Sequence, residues 1–185
     1  MASSRIVRWG AMGLMLGGVI WVVLGLAPMV GYLQAIPGRE DVVLFVVGML
    51  LTAAGLVGLH TLQKDSYGRL GRTGFYVALA AIAAHILGAV LYLAGNPSFQ
   101  WLSSSVGRFG ILIGFVLYGI ATLRARVLPR SYGLALAVSM PISLGMGHLL
   151  AAYWSSLLFS LFFLVLGYAL WSRRTTAAGG ASRVS

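Results

Sequence analysis

The chain has 185 residues, of which 59% are hydrophobic and only 9% charged, against roughly 25% charged in an average soluble domain. With a mean hydropathy of +0.93, that composition excludes a water-soluble globule and leaves a polytopic helical membrane protein. Zero cysteines exclude disulfide exchange, thiolate metal sites and a cysteine nucleophile, while the net charge of +10 has to be placed relative to a bilayer before it can be interpreted.

Crossing about 30 Å of hydrocarbon takes about 20 apolar residues. The first such run is 9–29, too long for the usual apolar core of about 7–15 residues in a cleaved signal peptide, so it is expected to remain as a helix. Runs at 42–62, 75–94 and 105–123 follow. Residues 131–171 then carry no charge over 41 positions, about twice bilayer thickness as one helix. They divide into spans at 131–149 and 152–171, with Gly145, Gly147 and His148 before the turn and Tyr153 and Trp154 after it. The small, polar residues 175–185 are expected to form a disordered tail.

Basic residues test this count. Arg5 and Arg8, then Lys64, Arg69 and Arg72, then Arg124, Arg126 and Arg130, then Arg173, Arg174 and Arg183 fall on one side, 11 of the 13 Lys and Arg. Arg39 and Arg108 fall on the other, offset by Glu40 and Asp41. The positive-inside rule therefore predicts an all-α bundle of six transmembrane helices with both termini cytoplasmic. The basic segments would also attract anionic lipid headgroups, at about 1 kcal/mol per residue near the surface. Divided among four short segments, they do not make a nucleic-acid surface.

Spans two, four and six end alike, in Gly58-Leu59-His60-Thr61-Leu62, Gly119-Ile120-Ala121-Thr122-Leu123 and Gly167-Tyr168-Ala169-Leu170-Trp171. Three repeated helical hairpins about an axis along the membrane normal would produce this pattern; so would the ordinary way in which membrane helices end at arginine. The stretches from Ile120 to Arg130 and from Gly167 to Trp171 resemble small bacterial membrane proteins of unassigned activity, which implies a bacterial inner membrane. In size and span count the chain is similar to the substrate-binding subunits of energy-coupling-factor vitamin importers. Those carry small-residue motifs on the first helix, where Gly13 and Gly17 stand here. That resemblance implies binding of a small solute.

Lipid removes the hydrophobic drive for helix association, so close backbone approach must replace it. Gly13 with Gly17, Gly110 with Gly114, and the stripe Ala78, Ala81, His85 and Gly88 are small-residue faces suited to packing within one bundle. Self-association or docking on a membrane partner would use the same faces. Trp9, Trp21, Tyr32, Trp101, Tyr153, Trp154, Tyr168 and Trp171, most of them near span ends, fit an interface belt; Tyr92, Trp101, Tyr153 and Trp154 also fit a cage for a solute on the outer side.

No Asp, Glu, Lys or Arg falls near the middle of a span, which excludes a retinal Schiff base and pumping through buried carboxylates. No acidic cluster suits magnesium, no HExxH motif suits zinc, and three histidines at three depths make neither a metal nor a haem site. No cofactor and no catalytic residue is assigned. Ser103, Ser104 and Ser105 read as a helix cap. His60, beside Gln63 and Lys64, reads as interfacial. His85 falls at the midpoint of span three, about 15 Å from either surface at 1.5 Å per residue. It is either a structural hydrogen-bonding group or a solute-binding or proton-relay one. His148 follows Pro141, Gly145 and Gly147, and proline in a span kinks it, as in helices that line transporter cavities. The expected function is binding or translocation of a small, largely uncharged solute. The alternatives are an accessory subunit without chemistry and, third, a membrane-embedded enzyme.

Because the natural chain has no cysteine, single-cysteine variants test the orientation on a clean background. Asp65→Cys is expected to react with an impermeant maleimide only after the membrane is opened, and Asn96→Cys in intact cells. The opposite pattern would invert the topology.

Overall fold

The computed structural model describes residues 2–27, 39–149 and 152–181. They form six α-helices and no strand: α1 Ala2–Leu26, α2 Arg39–Gln63, α3 Gly68–Leu93, α4 Arg108–Ala125, α5 Arg130–Leu149 and α6 Ala152–Ala181. A 3₁₀ turn at Pro97–Phe99 and a π-helical segment at Leu102–Gly107 lie between α3 and α4. Four stretches are long and apolar enough to cross a membrane: Arg5–Leu26, Val42–Gln63, Gly68–Leu93 and Leu102–Ala125. In α6 the apolar part among the described side chains is Leu157–Ser172. The uncharged 131–171 stretch is thus carried by two helices, α5 and α6. Helical backbone in α6 runs on to Ala181, past the position where the tail was expected to begin.

Helix ends follow local chemistry. α3 stops in a Schellman motif: the Asn96 N–H donates to the Leu91 carbonyl at 3.1 Å and the Gly95 N–H to that of Tyr92 at 3.0 Å. Gly95 supplies the left-handed backbone this requires, at φ +84°, and Pro97 then blocks continuation. α4 stops at Arg126, a non-glycine residue at φ 52°, with Pro129 just beyond.

Glycine sets which helices touch. A Cβ on Gly10 would lie 2.6 Å from the Gly58 Cα, so α1 and α2 meet backbone to backbone. Gly13 faces the Leu51 carbonyl and Ala54, and Gly17 faces Leu51. On its other side α1 receives α6, with Gly167 against the Ala11 carbonyl and Met15. The same construction recurs around α4: Gly114 meets Ala78 and Gly110 meets Ala81 on α3, while Gly119 meets Ala137 on α5. The small-residue faces of the sequence are therefore consumed inside the molecule. α1 sits between α2 and α6, α4 sits between α3 and α5, and the seams α2–α3 and α5–α6 are thinner.

Between these two triplets lie aromatic side chains. Phe115 of α4 stacks on Phe159 of α6 at 6.0 Å, Phe163 meets Phe159 edge-on at 4.3 Å, and Trp21 of α1 meets Phe159 at 5.9 Å. Trp21 donates its indole N–H to the Thr52 hydroxyl at 3.3 Å, so it is a core residue and not the belt anchor its position near a span end suggests. The outer surface is apolar instead, with Leu50 at 56%, Leu134 at 56% and Leu161 at 57% exposure. Hydrocarbon tolerates that surface and water does not. Trp9, Tyr76 and Tyr168 are also exposed, and the Arg8 guanidinium lies 4.9 Å from the ring centroid of Trp171.

Gly10→Ala or Gly58→Ala forces a methyl group into backbone, which has no rotamer to yield. Each is expected to destabilise the protein by about 1–3 kcal/mol, read as a lower thermal midpoint in detergent. An unchanged midpoint would show that this contact does not hold α1 on α2.

Candidate functional site

A cleft of about 330 Å³ lies at the thin α2–α3 seam. Its walls are Trp21 and Leu24 of α1, Val42 and Phe45 of α2, and His85, Gly88, Ala89 and Tyr92 of α3; Gln100 and Ser103 close the rim. These positions belong to the end of the bundle away from the Lys64–Arg72 loop. His85 lies eight residues before the end of α3, about 12 Å along the axis at 1.5 Å per residue. Among the described residues no charged side chain lines the cleft, and its mostly apolar walls hold a few polar groups, the usual make-up of a small-molecule site.

His85 is fixed from two sides. Its ring lies 4.8 Å from that of Phe45 at 49°. A Cβ on Gly107 would come within 2.7–2.9 Å of its Cβ, Cγ and Cα, so the π-helical segment covers the root of the side chain. Nδ1 is buried and, among the described residues, has no hydrogen-bond partner. Gly88, one turn further along α3, lets Ser103 approach: a Cβ there would sit 2.5 Å from the Ser103 nitrogen. Two glycines thus clamp the π-helical segment onto α3 and set the position of the rim. π-turns of this kind cost hydrogen-bond regularity and occur often at functional sites.

Ser103, Ser104 and Ser105 do not cap a helix as the sequence suggests. They lie inside the π-helical segment, and Gly107, which precedes α4, makes no side-chain cap bond. The reason is continuity: Trp101 already stands in helical conformation, so no free helix start exists there to be capped.

Of the residues expected to bind solute, His85 and Tyr92 line the cleft together. Trp101 is 55% exposed and is not part of its wall. The side chains of His148, Tyr153 and Trp154 lie outside the described residues. Ala78, Ala81, Gly88, Gly110 and Gly114 take up the packing positions expected of them along α3 and α4. α5 runs through Pro141, Gly145 and Gly147 as one helix. Sequence reading missed Trp21, Phe45, Gln100 and Ser103. Phe45 and Trp21 carry a usable signal in their distance from the helix ends, but only the packed helices put them opposite His85.

A second polar cluster occupies the basic end. His60 stacks on Phe75 at 4.0 Å and is hydrogen-bonded through Nδ1 to the Tyr67 hydroxyl, which makes it a packed bridge between α2 and α3 and not a free interfacial group. Gln63 is fully buried. Thr122 Oγ1 lies 3.0 Å from the Gln63 side-chain amide and 2.9 Å from the Tyr118 carbonyl. A hydroxyl has one proton to donate; with it on the carbonyl, the amide meets Thr122 best through its Nε2. Among the described residues no three His, Asp or Glu side chains gather as a metal site.

The chain matches no protein-family model, and no curated protein or solved structure matches it.

Tyr67, in the loop before α3, gives a pH test of the basic-end cluster. Burial pushes its phenol up to about 12, with Tyr76 and Asp65 adding and Arg72 opposing; an unfolded tyrosine titrates near 10. The folded state therefore keeps the proton that the unfolded state releases. The resulting stability is complete below about pH 10 and is lost as pH rises towards 12. Thermal midpoints measured from pH 9 to 12 are expected to fall less steeply in Tyr67→Phe than in the natural chain. Parallel curves would show that Tyr67 ionises as freely as in the unfolded chain.

Proposed function

We propose that this chain is a six-span integral membrane protein, both termini cytoplasmic, that binds or passes a small, largely uncharged solute through the α1–α2–α3 cleft. The single observation that supports the reading most is the cleft itself: about 330 Å³ of space whose walls, among the described residues, are mostly apolar and uncharged and include a histidine nitrogen without a partner. That is the share of liquid volume taken by about eleven waters, room for one or two rings. A charged solute would leave its hydration shell for a wall whose described residues carry no countercharge, at a cost of several kcal/mol. A neutral one gains from every apolar surface it covers.

The cleft opens at the end of the bundle opposite the basic loops, so with positive charge inside it faces outwards. The basic loops then rest on the anionic headgroups of the inner leaflet of a plasma membrane. An accessory subunit would keep its small-residue faces free for a partner; here Gly13, Gly17, Gly110 and Gly114 are already in use, which favours solute binding. The endings shared by α2, α4 and α6 fit a hairpin repeat, although the tight pairs are α1–α2, α1–α6, α3–α4 and α4–α5.

Native mass spectrometry of the protein released from nanodiscs tests this reading. A small neutral adduct is expected on the natural chain and is expected to be lost from Ala89→Phe, which places a ring in the cleft, with the thermal midpoint nearly unchanged. An adduct that survives Ala89→Phe would put the solute elsewhere.

A further inference from the structure

We propose that the solute is a neutral ring compound bearing a carbonyl, whose oxygen accepts a hydrogen bond from Nε2 of His85; this rests on the cleft being the solute site.

The deep wall of the cleft imposes one polarity. Nδ1 of His85 is bonded to Cγ, on the side of the ring that Gly107 covers, and among the described residues it has no partner. A buried N–H without an acceptor is rare and costly, whereas a bare acceptor nitrogen is tolerated more readily. The proton of the neutral imidazole therefore sits on Nε2, at the far edge of the ring, away from the covered root. That tautomer offers a donor and nothing else to a molecule in the cleft. Trp21 cannot supply another, because its indole N–H is committed to Thr52. Tyr92, Gln100 and Ser103 are half-buried or exposed; their hydroxyl and amide groups can give or accept and so select for nothing.

What the deep wall selects is thus an acceptor atom on an apolar, flat body. Phe45 and Trp21 stand edge to face at 5.7 Å and, with Leu24 and Val42, present rings and branched chains to the occupant. A ring fits such walls by offset or edge contact. Among neutral groups that accept without carrying a donor of their own, a carbonyl is a common one and a stronger acceptor than an ether. A hydroxyl in the same place would bring a proton that no group in the deep wall accepts.

Acetophenone and ethylbenzene differ only by that carbonyl and serve as probes. In nanodiscs, after subtraction of binding to empty discs, acetophenone is expected to bind at least about fivefold more tightly, the effect of one net hydrogen bond. The preference should vanish in His85→Phe and persist in Tyr92→Phe. Imidazole ¹⁵N chemical shifts of His85 in the unliganded protein should show a protonated Nε2 and a bare Nδ1. Equal binding of the two probes, or a protonated Nδ1, would overturn the carbonyl assignment while leaving the cleft a solute site. Failure of both probes to bind would overturn the assignment and the solute-binding reading together. The comparison on the natural chain needs no variant to fold.

Discussion

Backbone meets backbone where Gly10 of α1 crosses Gly58 of α2, and everything else in the molecule is arranged around contacts of that kind. In a hydrocarbon solvent one apolar side chain gains little by leaving lipid for another, so helices associate where they can approach closely enough for dispersion to add up. Glycine allows that approach at α1–α2, α1–α6, α3–α4 and α4–α5. The result is two triplets, each built on a central helix. Their mutual contact relies on bulky rings, Phe115, Phe159, Phe163 and Trp21, which hold the triplets apart by the width of a side chain.

The cleft is a consequence of that division. α2 belongs to one triplet and α3 to the other, and no glycine of either brings their backbones together. At the basic end the gap is filled: His60 stacks on Phe75 and bonds to Tyr67, and Gln63 reaches Thr122 on α4. At the opposite end Phe45 against His85 is the main bridge, and space remains beside it. One seam is thus sealed by aromatic and amide groups at one end and left open at the other. The π-helical segment completes the open end. Its extra residue per turn brings Ser103 and Gly107 onto Gly88 and His85, so the rim of the cleft is part of a helix and not a loose loop.

Much of this was legible in order along the chain. Runs of about 20 uncharged residues can satisfy their backbone only as helices in a bilayer, and the stripe Ala78, Ala81, His85 and Gly88 reads directly as one helix face because 3.6-residue periodicity puts it there. That face does meet α4 and the segment before it. His85 and Tyr92 were legible for the same reason, seven residues and two turns apart. By contrast, Ser103 looked like a cap because serine before an apolar run usually is one. Nothing local revealed that the preceding residues were already helical. Trp21 looked like a belt anchor, and only Thr52, 31 residues away, turned it inwards.

By itself the sequence determined that the chain is helical, that its helices are apolar on most sides, and roughly where each lies along the chain, though not where each begins and ends. Those properties depend on neighbours within a few residues and on a solvent that forbids unpaired backbone. The tertiary structure alone decided which helices pair, that Trp21 and Phe45 line the same cleft as His85, and that this largely apolar cleft survives between α2 and α3. Such facts depend on contacts between residues far apart in sequence, from 18 positions for Gly119 with Ala137 to 156 for Gly167 with Ala11. Glycine backbone crossings select among many helix arrangements that the same apolar pattern would permit.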